Sequence, residues 1–171
     1  MKKIKKFVCM LLAVCFSVTA FPHTFVSAET SSACPFELGD TIKICYQCKK
    51  NNKPTTKYMC ASTNDECSFY TSGSFNEFEV IDTFDDGSFC LGFTWGSDYN
   101  LCSYSGMFDN GIEASDDYKI ATKFLLEDAG NGQYYLKVNS DKLKGRYVYT
   151  PDTKDIDLLI DKKSPLTIIK C

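Results

Sequence analysis

Histidine is nearly absent from this chain: of 171 residues only His23 is one, and it stands in an N-terminal stretch that reads as a removable leader. Without histidine, a Ser-His-Asp or Cys-His nucleophilic set is excluded, as is a His-ligated zinc or copper centre. A second long apolar run is also missing, since nothing after residues 7–21 is long enough to cross a bilayer. No Asn-x-Ser/Thr sequon occurs, so N-glycosylation is not expected. Carboxylates are plentiful, and a glycosidase-type pair survives formally. Yet Asp85, Asp86, Asp116 and Asp117 sit in turn-like stretches, the ordinary pattern of solvated loops. The expectation is a binding protein rather than an enzyme, with no cofactor and no metal.

The leader is specific. Lys2, Lys3, Lys5 and Lys6 form a basic start, residues 7–21 an apolar core, and Val26-Ser27-Ala28 a small-residue cleavage site. Cleavage is expected after Ala28, with Val18-Thr19-Ala20 as the weaker alternative, and Cys9 and Cys15 leave with the leader. That leaves 143 residues, enough for one domain. Taking the four leader lysines from 19 basic residues leaves 15 against 22 acidic, a net charge near −7. This balance disfavours nucleic acid and anionic membrane surfaces as partners. A soluble, secreted, extracellular monomer is expected, without membrane insertion.

Strand-like alternation fills the rest. Residues 133–138 set Tyr134, Leu136 and Val138 on one face and Gln133, Tyr135 and Lys137 on the other. Residues 146–150, 155–161 and 166–171 complete a group of four, separated by Pro151-Asp152-Thr153-Lys154 and Ser164-Pro165. The same order occurs twice more, at 40–46, 57–61, 66–71 and 78–82, and at 88–95, 99–104, 111–114 and 123–127. First strands align through Ile42, Phe89 and Tyr134, at offsets of 47 and 45 residues. Fourth strands align through Phe78, Phe124 and Leu166, at offsets of 46 and 42. A turn pair precedes each first strand: Gly39-Asp40, Asp86-Gly87 and Asn131-Gly132. A period of this length with four strands per unit is an array signal.

Three four-stranded units resemble the β-trefoil superfold, over units of about 38–84, 85–129 and 130–171 that follow a short arm at 29–37. The resemblance rests on spacing and apolar pattern, and implies a single all-β domain with a six-stranded barrel capped by three hairpins. An antiparallel β-sandwich is the alternative. Barrel closure would set Cys34 near Cys171, and a bridge there would contribute about 4–5 kcal/mol through the unfolded chain. Eight cysteines in an exported chain imply disulfides. Cys90 with Cys102 is expected from consecutive strands. Cys48 with Cys60, at the same separation of twelve residues, then leaves Cys45 with Cys67. Cys45-Tyr46-Gln47-Cys48 is a lone CxxC followed by loop composition rather than a helix, so disulfides are favoured over a redox motif or a four-thiolate zinc site.

For ligands, the loop 93–100 between the first two strands of the middle unit holds the sole tryptophan, Trp95, beside Asp98, Tyr99 and Asn100. Sugar binding needs an aromatic face and fixed carboxylate or amide groups, and Phe108 and Asn110 could complete a shallow pocket. The plainer reading places Trp95 in the core and the polar residues in a turn. The Gln-x-Trp of ricin-type trefoil lectins is missing, since Asn76-Glu77-Phe78, Thr122-Lys123-Phe124 and Pro165-Leu166 stand there. Trefoil protease inhibitors suggest a second reading, with Lys50 or Lys53 of a basic loop 49–57 entering an acidic specificity pocket; the acidic loop after Val80 offers no such anchor. The expectation is recognition of carbohydrate or glycoprotein, with protease inhibition or effector-like binding of an extracellular partner protein as alternatives.

Overall fold

The computed structural model describes residues 34–61, 66–72, 75–94, 99–107, 109–117, 120–151 and 155–171. Twelve strands occupy them: β1 Thr41–Lys50, β2 Lys53–Cys60, β3 Ser68–Tyr70, β4 Phe78–Thr83, β5 Phe89–Phe93, β6 Asn100–Ser105, β7 Asn110–Ser115, β8 Phe124–Gly130, β9 Gln133–Val138, β10 Tyr147–Tyr149, β11 Asp157–Leu159 and β12 Leu166–Lys170. All pairings of the described strands are antiparallel within one sheet, and a 3-10 turn spans Asp141–Leu143. The all-β class expected from alternation is the class observed, and each expected strand has its counterpart.

Pairing runs in a circle. β1 pairs with β4, β4 with β5, β5 with β8, β8 with β9, β9 with β12, and β12 returns to β1. The remaining strands hang from this ring as hairpins: β2–β3 from β1, β6–β7 from β5, and β10–β11 from β9. Single bridges tie the hairpins together, Glu66 to Glu113 and Ser68 to Asp155. Closing six strands on themselves removes the unpaired edges that an open sheet would expose.

The alternating residues of the ring strands point inward. Ile42, Ile44, Phe78, Val80, Phe89, Leu91, Phe124, Leu136, Val138 and Leu166 form one buried cluster with Met59, Phe69, Leu101, Ile112, Val148 and Leu158 of the hairpins. Phe36 of the N-terminal arm packs edge-on against Phe89, with ring centroids 5.1 Å apart, and Cys34 also packs on the core. The turn pairs before β1, β5 and β9 each hold a glycine at positive φ: Gly39 at 87°, Gly87 at 80° and Gly132 at 73°. A β-carbon is disfavoured in that region, so the turns that repeat along the sequence repeat for a backbone reason.

One expectation changes here. Residues 49–57 are not a loop. β1 runs on to Lys50, β2 begins at Lys53, and Lys49 pairs with Pro54 and Lys50 with Lys53. Only Asn51 and Asn52 turn the chain, with φ of 51° and 60°, the left-handed pair of a type I′ hairpin. Asparagine tolerates that region better than other residues with a β-carbon. Pro54 fits a strand because Lys50 and Lys53 flank the turn as the hydrogen-bonded pair, so at Pro54 no ladder donor toward β1 is needed.

Candidate functional site

The aromatic loop of the middle unit is only partly described. Trp95, Asp98 and Phe108 lie outside the described residues. Tyr99 packs half-buried against the core, and its carbonyl accepts the Phe93 N–H at 3.2 Å. Asn100 is 5% exposed. It pairs with Ser115 at one end of the β6–β7 hairpin, whereas Asn110 pairs with Ser105 at the other. Five residues of extended chain separate those ends, about 17 Å. Asn110 therefore does not join Tyr99 and Asn100 in one pocket, because antiparallel pairing carries residues ten apart in sequence to opposite ends of the hairpin. At the end of β5, Thr94 buries its hydroxyl without a hydrogen-bond partner, the one described group of that kind.

The cysteines follow strand register rather than sequence spacing. All eight described cysteines are thiols in this structure. Gly92 pairs with Asn100, so two residues further along each strand Cys90 and Cys102 face one another. Burial pushes both thiols up to about 11. The expected Cys48–Cys60 pair is not brought together: Cys48 stands opposite Thr55, five residues from Cys60 on β2. Nor is Cys45–Cys67, since Cys45 stands opposite Tyr58 on β2, while the thiols that act on buried Cys67 are Cys60 and Cys102. Equal separations in sequence misled because hairpin register, not spacing, decides which side chains meet. Cys171, exposed, donates its N–H to the Thr41 carbonyl at 2.8 Å and influences Cys45 electrostatically.

A different cluster is fully described. On the outer face where the second and third units meet, β8, β9 and β10 set Glu127 opposite Tyr135 and Lys137 opposite Tyr147. The Lys137 ammonium donates to Glu127 Oε1 at 2.7 Å, and the Tyr147 hydroxyl donates to the same carboxylate at 2.8 Å. Lys163, from the loop between β11 and β12, lies 3.8 Å from Glu127 Oε2. Its ammonium also sits 3.9 Å from the Tyr135 ring centroid and 4.9 Å from that of Tyr147. Lys162 lies over Tyr149 at 5.6 Å. The neighbouring Ser164 pins this loop: its N–H donates to the Val148 carbonyl at 3.1 Å, and its buried hydroxyl accepts the Thr150 N–H at 3.0 Å.

The electrostatics of the cluster are coupled. Burial pushes the Glu127 carboxyl up, but hydrogen bonds from Lys137 and Tyr147 and the nearby ammonium charges outweigh it, leaving the group below its ordinary value. The hydrogen bond to Glu127 holds Lys137 above its own ordinary value. The result is an ionised carboxylate with acceptor capacity to spare, flanked by the half-buried Tyr135 and Tyr147 and by the ammonium groups of Lys137 and Lys163. Tyr135 and Lys137 share the face opposite Tyr134, Leu136 and Val138, and alternation alone assigns them no role. The available signal was Tyr147-x-Tyr149 on an alternating face, with Lys162-Lys163 nearby. Nothing in their spacing shows that Glu127 joins them.

Open hollows also lie among the described residues. One of about 410 Å³ is lined by Gln47, Cys48, Lys49 and Pro54, and one of about 660 Å³ by Ser103, Ser105, Lys142 and Leu143. Among the described residues, no three His, Cys, Asp or Glu side chains gather as a metal site.

No protein-family model and no curated protein matches the sequence. In structure the chain is similar to a salivary protein from Culex quiquefasciatus that belongs to the Cysteine and Tryptophan-Rich (CWRC) family. The TM-score is 0.58 at 16% identity, over 81% of this chain and 98% of that one. At that identity the likeness concerns the fold alone.

Proposed function

We propose that the twelve strands form a β-trefoil and that the protein is an exported, non-catalytic binder of carbohydrate or glycoprotein. The trefoil reading is supported by the circular pairing of six strands with three hairpins attached. Export is supported by the basic, apolar and small-residue order of the leader. The sugar reading is carried by the tyrosine cluster where the second and third units meet. Tyrosine rings offer faces to the C–H side of a sugar, while the Glu127 carboxylate accepts from hydroxyls and the Lys163 ammonium donates to them. The protease-inhibitor reading loses support, because Lys50 and Lys53 pair across a two-residue turn instead of standing on a long exposed loop.

The experiment is a glycan array probed with the wild type, Tyr147→Ala and Trp95→Ala, each verified as folded. Loss of binding in Tyr147→Ala assigns the tyrosine cluster around Glu127. Loss in Trp95→Ala alone moves the site to the middle-unit loop. No glycan bound by the wild type at high protein concentration ends the carbohydrate reading.

A further inference from the structure

From residue 41 to residue 64 the chain has no aspartate or glutamate, yet it carries Lys43, Lys49, Lys50, Lys53 and Lys57. Five of the 15 basic residues beyond the leader thus fall in 24 residues of an otherwise acidic chain. The fold turns this bias into a shape. β12 covers β1 only from Ile42 to Tyr46, and β3 covers β2 only from Tyr58 to Cys60. Between those limits, residues 47–50 and 53–56 pair only with each other among the described strands. The two-stranded ribbon therefore runs about four residues, roughly 13 Å, past the ring. All six residues from 49 to 54 are exposed. Lys43, at the ring, is neutralised by Glu77 at 2.9 Å, whereas Lys49, Lys50 and Lys53 make no ion pair among the described residues.

We infer that this ribbon is a docking arm for a sulfated polysaccharide. The surface is separate from the tyrosine cluster, and the inference stands or falls without it. Three observations favour this occupant. Unpaired ammonium groups on a ribbon without carboxylates form a local positive field on a negatively charged body, which suits a polyanion. The basic groups of the ribbon are all lysine, and the chain's single arginine, Arg146, is elsewhere. Lysine acts as a point charge that demands no planar, bidentate geometry of its anion, which suits sulfate groups spaced along a flexible polymer. Finally, Lys49 and Lys50 stand on β1 and Lys53 on β2, so charge lies along both edges and opposes addition of a protein strand, while Lys50 and Lys53 share one face and Lys49 takes the other. A chain wrapping the tip meets all three ammonium groups; a flat protein surface meets one face.

The test is chromatography of the full chain on immobilised heparin at about 50 mM salt, where screening extends over roughly 14 Å or less, with polyglutamate as the carboxylate comparison. The wild type is expected to be retained on heparin and released by salt. Changing Lys49, Lys50 and Lys53 together to Ser should weaken heparin affinity on the order of a hundred-fold, with the melting temperature showing that the fold survives. A control, Lys142→Ser with Lys144→Ser, should keep most of the retention. Four outcomes overturn the inference: no heparin retention by the wild type, undiminished retention by the triple variant, equal loss in the control, or tighter binding to polyglutamate. The last would assign the arm to an acidic protein. If the triple variant keeps its heparin affinity but self-associates, the lysines serve only to keep ribbon edges apart.

Discussion

Phe89 stands directly opposite Phe124 where the first and last strands of the middle unit meet, both fully buried, with ring centroids 6.4 Å apart. Ile42 opposite Phe78 and Tyr134 opposite Leu166 hold the same place in the other two units. These are the positions that align along the sequence at the repeat offsets. Each is the only residue pair joining its two strands in the second and third units, so packing rather than a long hydrogen-bond ladder holds those junctions.

Truncation at this junction should be costly. Phe124→Ala removes a fully buried ring at the β5–β8 contact and is expected to destabilise the protein by about 3–5 kcal/mol. Urea unfolding followed by circular dichroism measures it, and a loss below about 1 kcal/mol would show that the ring closes without this contact.

The Asn51-Asn52 turn gives a backbone prediction. Asn52→Val places a β-branched residue at a φ of 60° and should cost about 1–2 kcal/mol, whereas Asn52→Gly should be tolerated. Unchanged stability in the valine variant would argue against the type I′ geometry and for a slipped β1–β2 register.

Glu127 predicts a pH dependence. Its folded value lies below the ordinary 4.5. The stability it confers is therefore present above the unfolded value and lost as pH falls through the folded one. The stability gap between wild type and Glu127→Gln should be open at pH 6 and close toward pH 3. Denaturant midpoints at the two pH values test this, and a gap that persists into acid would mean that ionisation of Glu127 is not its source. Lys137 works in the opposite sense: its raised value keeps the pair intact until pH climbs beyond 10.5.

The β5–β6 register makes a covalent prediction. If the protein oxidises on export, Cys90 and Cys102 should be recovered in one disulfide-linked peptide, and Cys48 and Cys60 should not. Mass spectrometry of a non-reduced digest distinguishes them. A Cys48–Cys60 peptide would require β2 to shift by five residues against β1.

Much of the architecture was legible because it is written in short-range terms. A half-buried strand must alternate, so Phe89, Leu91 and Phe93 or Tyr134, Leu136 and Val138 mark strands before any partner is known. Left-handed turns need glycine or asparagine, so Gly39, Gly87 and Gly132 mark where units begin. Repetition of these marks located the junctions of Ile42, Phe89 and Tyr134 with the closing strands. What each unit presents outward was not legible. Asn100 and Asn110 looked like neighbours in sequence, but the hairpin sends them to opposite ends. Lys50 and Lys53 looked like loop, but two asparagines suffice to turn the chain, and the strands continue to its tip. Glu127, Lys137, Tyr147 and Lys163 share no spacing that marks them as a set. They meet because antiparallel register and a loop pinned by Ser164 bring four segments to one face. Local sequence determined which residues form strands and which side faces inward, because alternation and turn chemistry act within a few residues. Only the tertiary structure decided which polar side chains meet, because register between strands is a long-range choice that each strand's own pattern leaves open in steps of two residues.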